Sequence, residues 1–117
     1  MKLKKFNFKI INSTNDRAFQ IIKKTNNKSG IVIAEKQKRG RGQYGKKWTS
    51  FRGNLFVSIF FQVNTVQLSL KNLTKINCLL VKKLLSNFYK DKITIKKPND
   101  LLINNMKISG ILQETLS

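Results

Sequence analysis

The stretch 39–48, read RGRGQYGKKW, holds the residue types and spacing best suited to chemistry. Its three glycines let the backbone turn and approach a ligand closely, and successive N–H groups in such a turn can form a concavity that binds anions. The arginines add planar forks that match carboxylate or phosphate, and Trp48 adds a flat apolar surface. A phosphate cradle beside a stacking surface predicts a nucleotide site. The stretch alone leaves open the alternative of an exposed basic hairpin loop.

The glycine spacing also matches other phosphate-binding patterns, which fail on their context. The dinucleotide-binding pattern between Gly40 and Gly45 must lead into a helix, whereas the next predicted element is a strand at 55–61. A P-loop needs Ser or Thr where Lys47 stands. A kinase loop does run from strand to strand, but the sequence has no histidine to form the H-R-D motif.

The chain is strongly basic. Its 117 residues contain 24 Lys and Arg against 5 Asp and Glu, a net charge of +19. This length suits one domain, and the charge favours anionic partners, although lysines that only solvate the surface would give the same composition. With Cys78 as the only cysteine and no histidine, we exclude an intrachain disulfide, His-dependent catalysis and His-ligated zinc. We expect a reduced, cytoplasmic setting and no membrane span, since no run approaches about 20 apolar residues.

Periodicity predicts a strand, a helix and a second strand in the first part of the chain. Apolar residues alternate over 6–10, as in a half-buried strand. Ser13 and Asp16 form a capping pattern that starts a helix, and the helical spacing continues to about Lys24. The apolar run 31–34 predicts a buried strand that leads into the glycine-rich stretch.

The middle of the chain predicts a strand followed by a long helix. Both faces of 55–61 are apolar, so we predict a central strand covered on each side. The spacing then becomes helical over about 69–88, with Cys78 near the apolar face and packed in the core. The predicted buried stripe consists of Leu73, Ile76, Leu80 and Leu84.

The last third predicts short strands. A strand begins around Ile93 and Ile95, is interrupted at 98–100 because proline cannot sit in a central ladder, and resumes at 101–103. Asn104-Asn105 suits a tight hairpin turn because asparagine tolerates positive φ. The final predicted strand covers 107–113.

Four separated segments together resemble the catalytic domain of biotin–protein ligases, which share a superfamily with lipoate ligases. They are STN at 13–15, EKQKRGRGQYGKKW at 35–48, KPND at 97–100 and KISGIL at 107–112. The resemblance covers about 8–114. It implies an α+β fold with a mixed, largely antiparallel sheet and helices packed on it, as in the class II synthetase-like ligases.

The resemblance also implies an activity and its partners. Such ligases make biotinyl-5′-AMP from biotin and ATP with Mg²⁺, then transfer biotin to a lysine of a biotin carboxyl carrier protein or domain. Cations are suited to this reaction because they offset the repulsion between a carboxylate and the phosphate it attacks. Neither a specific nucleic acid nor a membrane is expected as a partner, and an exposed sheet edge would favour a homodimer.

Residue roles follow from the resemblance position by position. Arg41 and Lys107 would be catalytic, and no direct metal ligand is implied, although Mg-ATP would lie near Asp100. The implied biotin-binding residues are Ser13, Thr14, Asn15, Gln37, Gly40, Arg41, Gly42, Gln43, Lys107 and Gly110. The implied ATP- and adenylate-binding residues are Arg41, Trp48, Asn99, Asp100 and Lys107.

Three features depart from the family pattern. Gln43 stands where a second loop arginine is usual, and Lys97 stands where tryptophan is usual. The sequence also stops soon after the Lys107 strand, so we expect residues 1–117 to be a partial catalytic domain, incomplete at its C-terminal end and lacking the small C-terminal domain. We expect no DNA-binding domain before Phe8 and hence no repressor role.

Two other functions remain open from the sequence. A lipoate–protein ligase shares the fold and the adenylation chemistry, but 35–48 and 107–112 favour biotin. A basic nucleic-acid-binding module would explain the charge through phosphate contacts alone. The absence of a recognised RNA- or DNA-binding motif weighs against the second alternative.

Overall fold

The computed structural model describes residues 2–63 and 69–116. It shows an α+β fold with mixed and antiparallel sheets and two α-helices, as the sequence predicts. The chain divides into two compact units, Met1–Gln62 with Glu114–Ser117, and Val63–Gln113.

The first unit is a three-stranded sheet with one helix packed on it. Strand β1 (Lys5–Ile11) leads into helix α1 (Thr14–Lys24) and then into strand β2 (Gly30–Gln37), which lies parallel to β1. Strand β5 (Phe56–Phe60) pairs antiparallel with the other side of β2, giving the order β1-β2-β5. The core lies between this sheet and α1 and consists of Ile11, Ala18, Ile21, Val32, Ala34 and Phe60.

The ends of α1 follow from its capping residues. Ser13 has extended backbone angles, and its hydroxyl accepts a hydrogen bond of 3.2 Å from the backbone N–H of Asp16. This confirms the predicted start of the helix. Lys23 and Lys24 occupy the last turn, where cations are favoured by the helix dipole.

The glycine-rich stretch forms a small hairpin between β2 and β5. Strands β3 (Gly40–Arg41) and β4 (Lys47–Trp48) pair antiparallel, with Gly40 opposite Trp48. Between them the chain makes a tight turn in which Tyr44 has a φ of 58° and Gly45 a φ of 72°. The predicted strand-to-strand context is therefore confirmed.

The prediction that 55–61 is covered on both faces is wrong. Phe56, Ser58 and Phe60 are buried, whereas Val57 and Ile59 are exposed. In the described part of the chain β5 pairs with β2 alone, and α1 packs against one face of this sheet. Apolar residues on both faces therefore do not lead to burial of both faces here.

The second unit is a long helix packed on an antiparallel sheet. Helix α2 (Leu70–Leu85) is followed by strands β6 (Ile93–Lys96), β7 (Asp100–Ile103) and β8 (Met106–Gly110), in the order β6-β7-β8. The turn from β7 to β8 places Asn104 and Asn105 at φ values of 50° and 63°, as predicted. Strand β8 ends three residues before the predicted boundary.

The face of α2 that packs on the sheet differs from the predicted stripe. Cys78 is buried, 2% exposed, which confirms its predicted place in the core. Leu80 and Leu84, however, are each 59% exposed, and Ile76 is 42% exposed. The covered side of the helix is centred on Cys78 and includes the partly buried residues Thr74, Val81 and Leu85. Of the predicted stripe, only Leu73 is partly buried as well. No helix in the described ranges is long and apolar enough to cross a membrane.

Candidate active site

The start of α1 is joined to the end of β2 through Gln37. The first N–H groups of a helix have no partner inside the helix. One of them, the N–H of Thr14, donates a 2.8 Å hydrogen bond to Gln37 Oε1. Gln37 Nε2 in turn donates to Ser50 Oγ at 3.1 Å, so both ends of the amide are held. Two predicted biotin-binding residues, Thr14 and Gln37, therefore lie in direct contact.

Ser58 extends this polar cluster from β5. Its hydroxyl oxygen lies 2.7 Å from Thr14 Oγ1 and also forms a short hydrogen bond with Asn15 Oδ1. A hydroxyl has one proton, and Asn15 Oδ1 can only accept. Ser58 therefore donates to Asn15, and the Thr14 hydroxyl donates to Ser58. This arrangement fixes the Asn15 amide with its Nδ2 directed to Glu114 Oε1, 2.9 Å away.

Gly40 is required by crowding at the base of the hairpin. A Cβ atom at this position would lie 2.8 Å from the backbone oxygen of Trp48, 2.9 Å from Gln37 Nε2 and 3.0 Å from Ser50 Oγ. The 2.8 Å contact is with backbone, which cannot move aside as the end of a side chain can, so a side chain at this position would force the hairpin to shift. The backbone of the predicted loop therefore packs directly against the Gln37 amide.

Arg41 lies at the centre of an acidic pair. One terminal nitrogen of its guanidinium contacts Asp16 Oδ1 at 2.5 Å, and the other contacts Glu114 Oε1 at 2.6 Å. Partial burial by itself lowers the pKa of Arg41, but the hydrogen bonds and charges of the two carboxylates outweigh it and raise that pKa above its usual value. Arg41 is thus a permanent cation, positioned by α1 and by the segment that follows β8.

The remaining hairpin residues form the outer part of the cluster. The N–H of Gly42 donates to the Lys46 carbonyl at 2.6 Å, and the N–H of Lys46 donates to the Gln43 carbonyl at 3.2 Å. A Cβ on Gly42 would lie 3.7 Å from the Lys46 carbonyl oxygen and 4.0 Å from the Trp48 ring, which are ordinary van der Waals distances. Trp48 is half-buried.

The second unit contains the other predicted catalytic cation. Lys107 Nζ on β8 lies 3.1 Å from Asp100 Oδ1 on β7. That oxygen is buried and accepts no well-oriented hydrogen bond within the described residues. The positive charge of the Lys107 ammonium therefore offsets the cost of burying the Asp100 carboxylate. Gly110 lies opposite Asp100 in the sheet, and the carbonyl of the buried Asn99 accepts from the N–H of Ile111 at 2.9 Å.

The structure therefore brings the predicted residues together in two groups. Ser13, Thr14, Asn15, Gln37, Gly40, Arg41, Gly42, Gln43 and Trp48 belong to the first unit, and Asn99, Asp100, Lys107 and Gly110 to the second. That Arg41 and Lys107 converge on one ligand stays a prediction. Three of the five acidic residues, Asp16, Asp100 and Glu114, contact these two cations.

Sequence reasoning missed Ser50, Ser58 and Glu114, and it indicated Asp16 only as a capping residue and not as a partner of Arg41. Ser58 had a signal, because it is a polar residue between Phe56 and Phe60 on the face of β5 that is buried. Glu114 had a weaker one, because an acid is rare in a chain with a net charge of +19. Nothing in the local sequence distinguishes Ser50.

Comparison with known proteins gives the family. A model of the biotin/lipoate A/B protein ligase family matches residues 7–117. The chain belongs to this family. It is 36% identical over 107 residues to the bifunctional ligase/repressor BirA of Escherichia coli and 29% identical over 106 residues to BirA of Bacillus subtilis. Each alignment covers 90% of this chain and 33% of the relative, so the chain spans about a third of these proteins.

Solved structures of family members have the same fold. Biotin protein ligase from Aquifex aeolicus, in complex with biotin and ATP, superposes with a TM-score of 0.80 at 28% identity, over 96% of this chain and 47% of that one. The ligase from Leishmania major, in complex with biotinyl-5-AMP, gives a TM-score of 0.79 at 25% identity, over 98% of this chain and 53% of that one. The α+β ligase fold predicted from the four segments is confirmed.

Proposed function

We propose that this chain forms the biotin- and ATP-binding part of a biotin–protein ligase. The observation that carries the proposal is the hydrogen-bonded cluster that joins the start of α1 to Gln37 and Arg41. These residues come from distant parts of the sequence, yet each was expected at the ligand site. The similar ligases were solved with biotin and ATP or with biotinyl-5-AMP, which supports the same ligands here.

The proposed reaction has two steps. A carboxylate oxygen of biotin attacks the α-phosphorus of ATP, the bond from that phosphorus to the bridging oxygen breaks, and pyrophosphate leaves with the electron pair. The amine of an acceptor lysine then attacks the acyl carbon of biotinyl-5′-AMP, loses a proton and expels AMP. The acceptor is a biotin carboxyl carrier protein or domain.

The chain's residues act on this reaction by binding and by charge. Arg41 and Lys107 offset the repulsion between the biotin carboxylate and the phosphate, which is the principal obstacle in the first step. Residues 13–15 and Gln37 line the biotin position, while Trp48 packs on adenine. The hairpin 40–48 covers the adenylate and excludes water, which would hydrolyse it.

The residues of the second unit suit an ATP-bound Mg²⁺ ion. Asp100 Oδ1 is buried with the Lys107 ammonium 3.1 Å away, and Mg²⁺ prefers carboxylate oxygens as ligands. The described residues contain no group of three or more potential metal-binding side chains. Proteins commonly hold an ATP-bound Mg²⁺ ion through one or two carboxylates together with the phosphates, and Asp100 could supply one. Bound Mg²⁺ would neutralise phosphate charge, and Asn99 would line the same position.

The net charge of +19 suits an acidic acceptor surface. Under that hypothesis the rate of transfer falls as salt is added, since screening weakens attraction between surfaces. An unchanged rate across a salt series would count against it. We further propose that the protein forms a homodimer and is located in the cytoplasm.

Isothermal titration of this chain with biotin and with lipoate tests the ligand. We expect tighter binding of biotin, and tighter binding of lipoate would assign a lipoate ligase instead. Biotin-dependent exchange of pyrophosphate into ATP tests the first chemical step. Lys107→Met should reduce exchange at least about a hundredfold, in line with loss of one charge-stabilising group, whereas the exposed control Lys83→Met should not. Equal exchange in the two variants would remove Lys107 from the mechanism.

A further inference from the structure

The position of Glu114 has no counterpart in the proposed reaction. Its Oε1 atom accepts from Arg41 at 2.6 Å and from Asn15 Nδ2 at 2.9 Å. Both donors are residues expected to face the ligand. A carboxylate oxygen held by a guanidinium and an amide is bound as the anionic end of a ligand would be bound. Glu114 therefore occupies an anion position made by two predicted site residues.

We propose that the Glu114 carboxylate is an internal substitute for the ligand anion, which it must leave free when biotin binds. The proposal rests on the proposed function, because it takes the biotin carboxylate as the anion that replaces Glu114. With Asp16 and Glu114 both present, the guanidinium and its two partners have a net charge of −1. An incoming carboxylate is repelled until one of the two moves away.

Of the two acids, Glu114 is the one free to move. Asp16 lies in the first turn of α1, where the helix dipole favours a carboxylate, and its N–H is held by Ser13. Glu114 belongs to no helix or strand and follows the end of β8 by four residues. Its displacement breaks two side-chain contacts and no backbone ladder. Ligand binding should therefore release Glu114 and retain the Arg41–Asp16 pair.

Binding affinity gives the test. Glu114→Gln keeps the size of the side chain but removes its charge, which weakens its hold on Arg41. We expect the variant to bind biotin about tenfold more tightly, equivalent to about 1.4 kcal/mol, because a charge-assisted bond is roughly twice as strong as a neutral one. Affinity for biotinamide, which lacks the carboxylate, should stay within about twofold of the wild type. A merely structural role for Glu114 predicts the opposite sign, with weaker binding of both ligands.

Two controls keep the result interpretable. Glu35→Gln removes an acid from an exposed position of β2 and should leave biotin affinity unchanged. Glu114→Asp retains the charge but shortens the side chain and weakens its contacts with Arg41 and Asn15. It should bind biotin more tightly than the wild type and less tightly than Glu114→Gln, and the comparison with the wild type keeps the test available if the glutamine variant fails to fold. Hydrogen exchange adds a second measurement, since biotin should accelerate exchange in the segment 112–116 of the wild type.

The outcomes separate the two proposals. If the wild type binds neither biotin nor lipoate, the proposed function fails. If the wild type binds biotin but Glu114→Gln binds it no more tightly, or if biotin slows exchange at 112–116, the function stands and the role of Glu114 is refuted.

Discussion

Replacement of Gln37 tests how far the candidate site also holds the fold together. Thr14 is 5% exposed, and its N–H has Gln37 Oε1 as its acceptor at 2.8 Å. Gln37→Leu removes that acceptor and leaves a buried donor of the first helical turn unsatisfied, which costs about 1–3 kcal/mol. Ser50 loses one partner but keeps its contact with the Trp48 carbonyl at 3.4 Å. We therefore expect the free energy of unfolding to fall by about 2 kcal/mol.

Urea unfolding, followed by the fluorescence of the single tryptophan, Trp48, measures this loss. With a slope of about 2 kcal/mol per molar urea, the midpoint should fall by about 1 M. Gln37→Glu retains an oxygen in the same place and should lose less than half as much. Gln20→Leu makes the same replacement at an exposed position of α1 and is the control. A midpoint for Gln37→Leu equal to that of Gln20→Leu, or a Gln37→Glu variant that loses as much, would refute the reasoning.

Three further predictions concern packing and pH. Gly40→Ala should lower the free energy of unfolding by about 1–3 kcal/mol, because its Cβ would lie 2.8 Å from the backbone oxygen of Trp48. Gly42→Ala should lower it by less than about 1 kcal/mol, because no atom lies nearer than 3.7 Å to the added Cβ. Similar urea midpoints for the two variants would contradict this. Lys97→Trp should fill part of a cavity of about 170 Å³ beside α2 and raise the thermal midpoint by a few degrees, whereas a tryptophan at Lys96, which does not line this cavity, should not; an unchanged midpoint would show that the cavity does not admit the ring. Burial and the nearby charge of Asp100 raise the pKa of the Cys78 thiol, so the unfolded chain loses this proton at a lower pH than the folded chain does. The free energy of unfolding should therefore fall as pH rises above about 9. Cys78→Ala should show a shallower fall in the free energy of unfolding between pH 8 and 10, and identical slopes in the two proteins would argue against the raised pKa.

Much of the fold follows from local rules that the sequence displays. The Ser13–Asp16 capping pattern, the alternation at 6–10 and the Asn104-Asn105 turn act over a few residues, so each could be predicted. The buried face of α2 could not, because this helix has apolar residues on most sides and periodicity alone does not choose between them. Which side packs is decided by the sheet β6-β7-β8, whose shape is a property of the whole second unit.

In the candidate site, too, residues within local motifs could be predicted, whereas their partners from distant parts of the chain could not. The family motifs indicated Thr14, Gln37 and Arg41 because each lies within a recognisable segment. The residues that hold them, Ser58 and Glu114, contact partners 44 and 73 residues away. No local pattern encodes such pairs. A buried serine in an apolar strand gives a hint, and the identity of its partner emerges only when the chain is folded.

The distance between Arg41 and Glu114 along the chain has a consequence during synthesis on the ribosome. Translation proceeds at about 5–20 residues per second, and early segments fold first. Because Glu114 is added 73 residues after Arg41, the arginine exists for about 4–15 s before its second carboxylate has been polymerised. Once β5 has also been added and has left the ribosome, the nascent first unit presents Arg41 with Asp16 as a partner but without the carboxylate of Glu114.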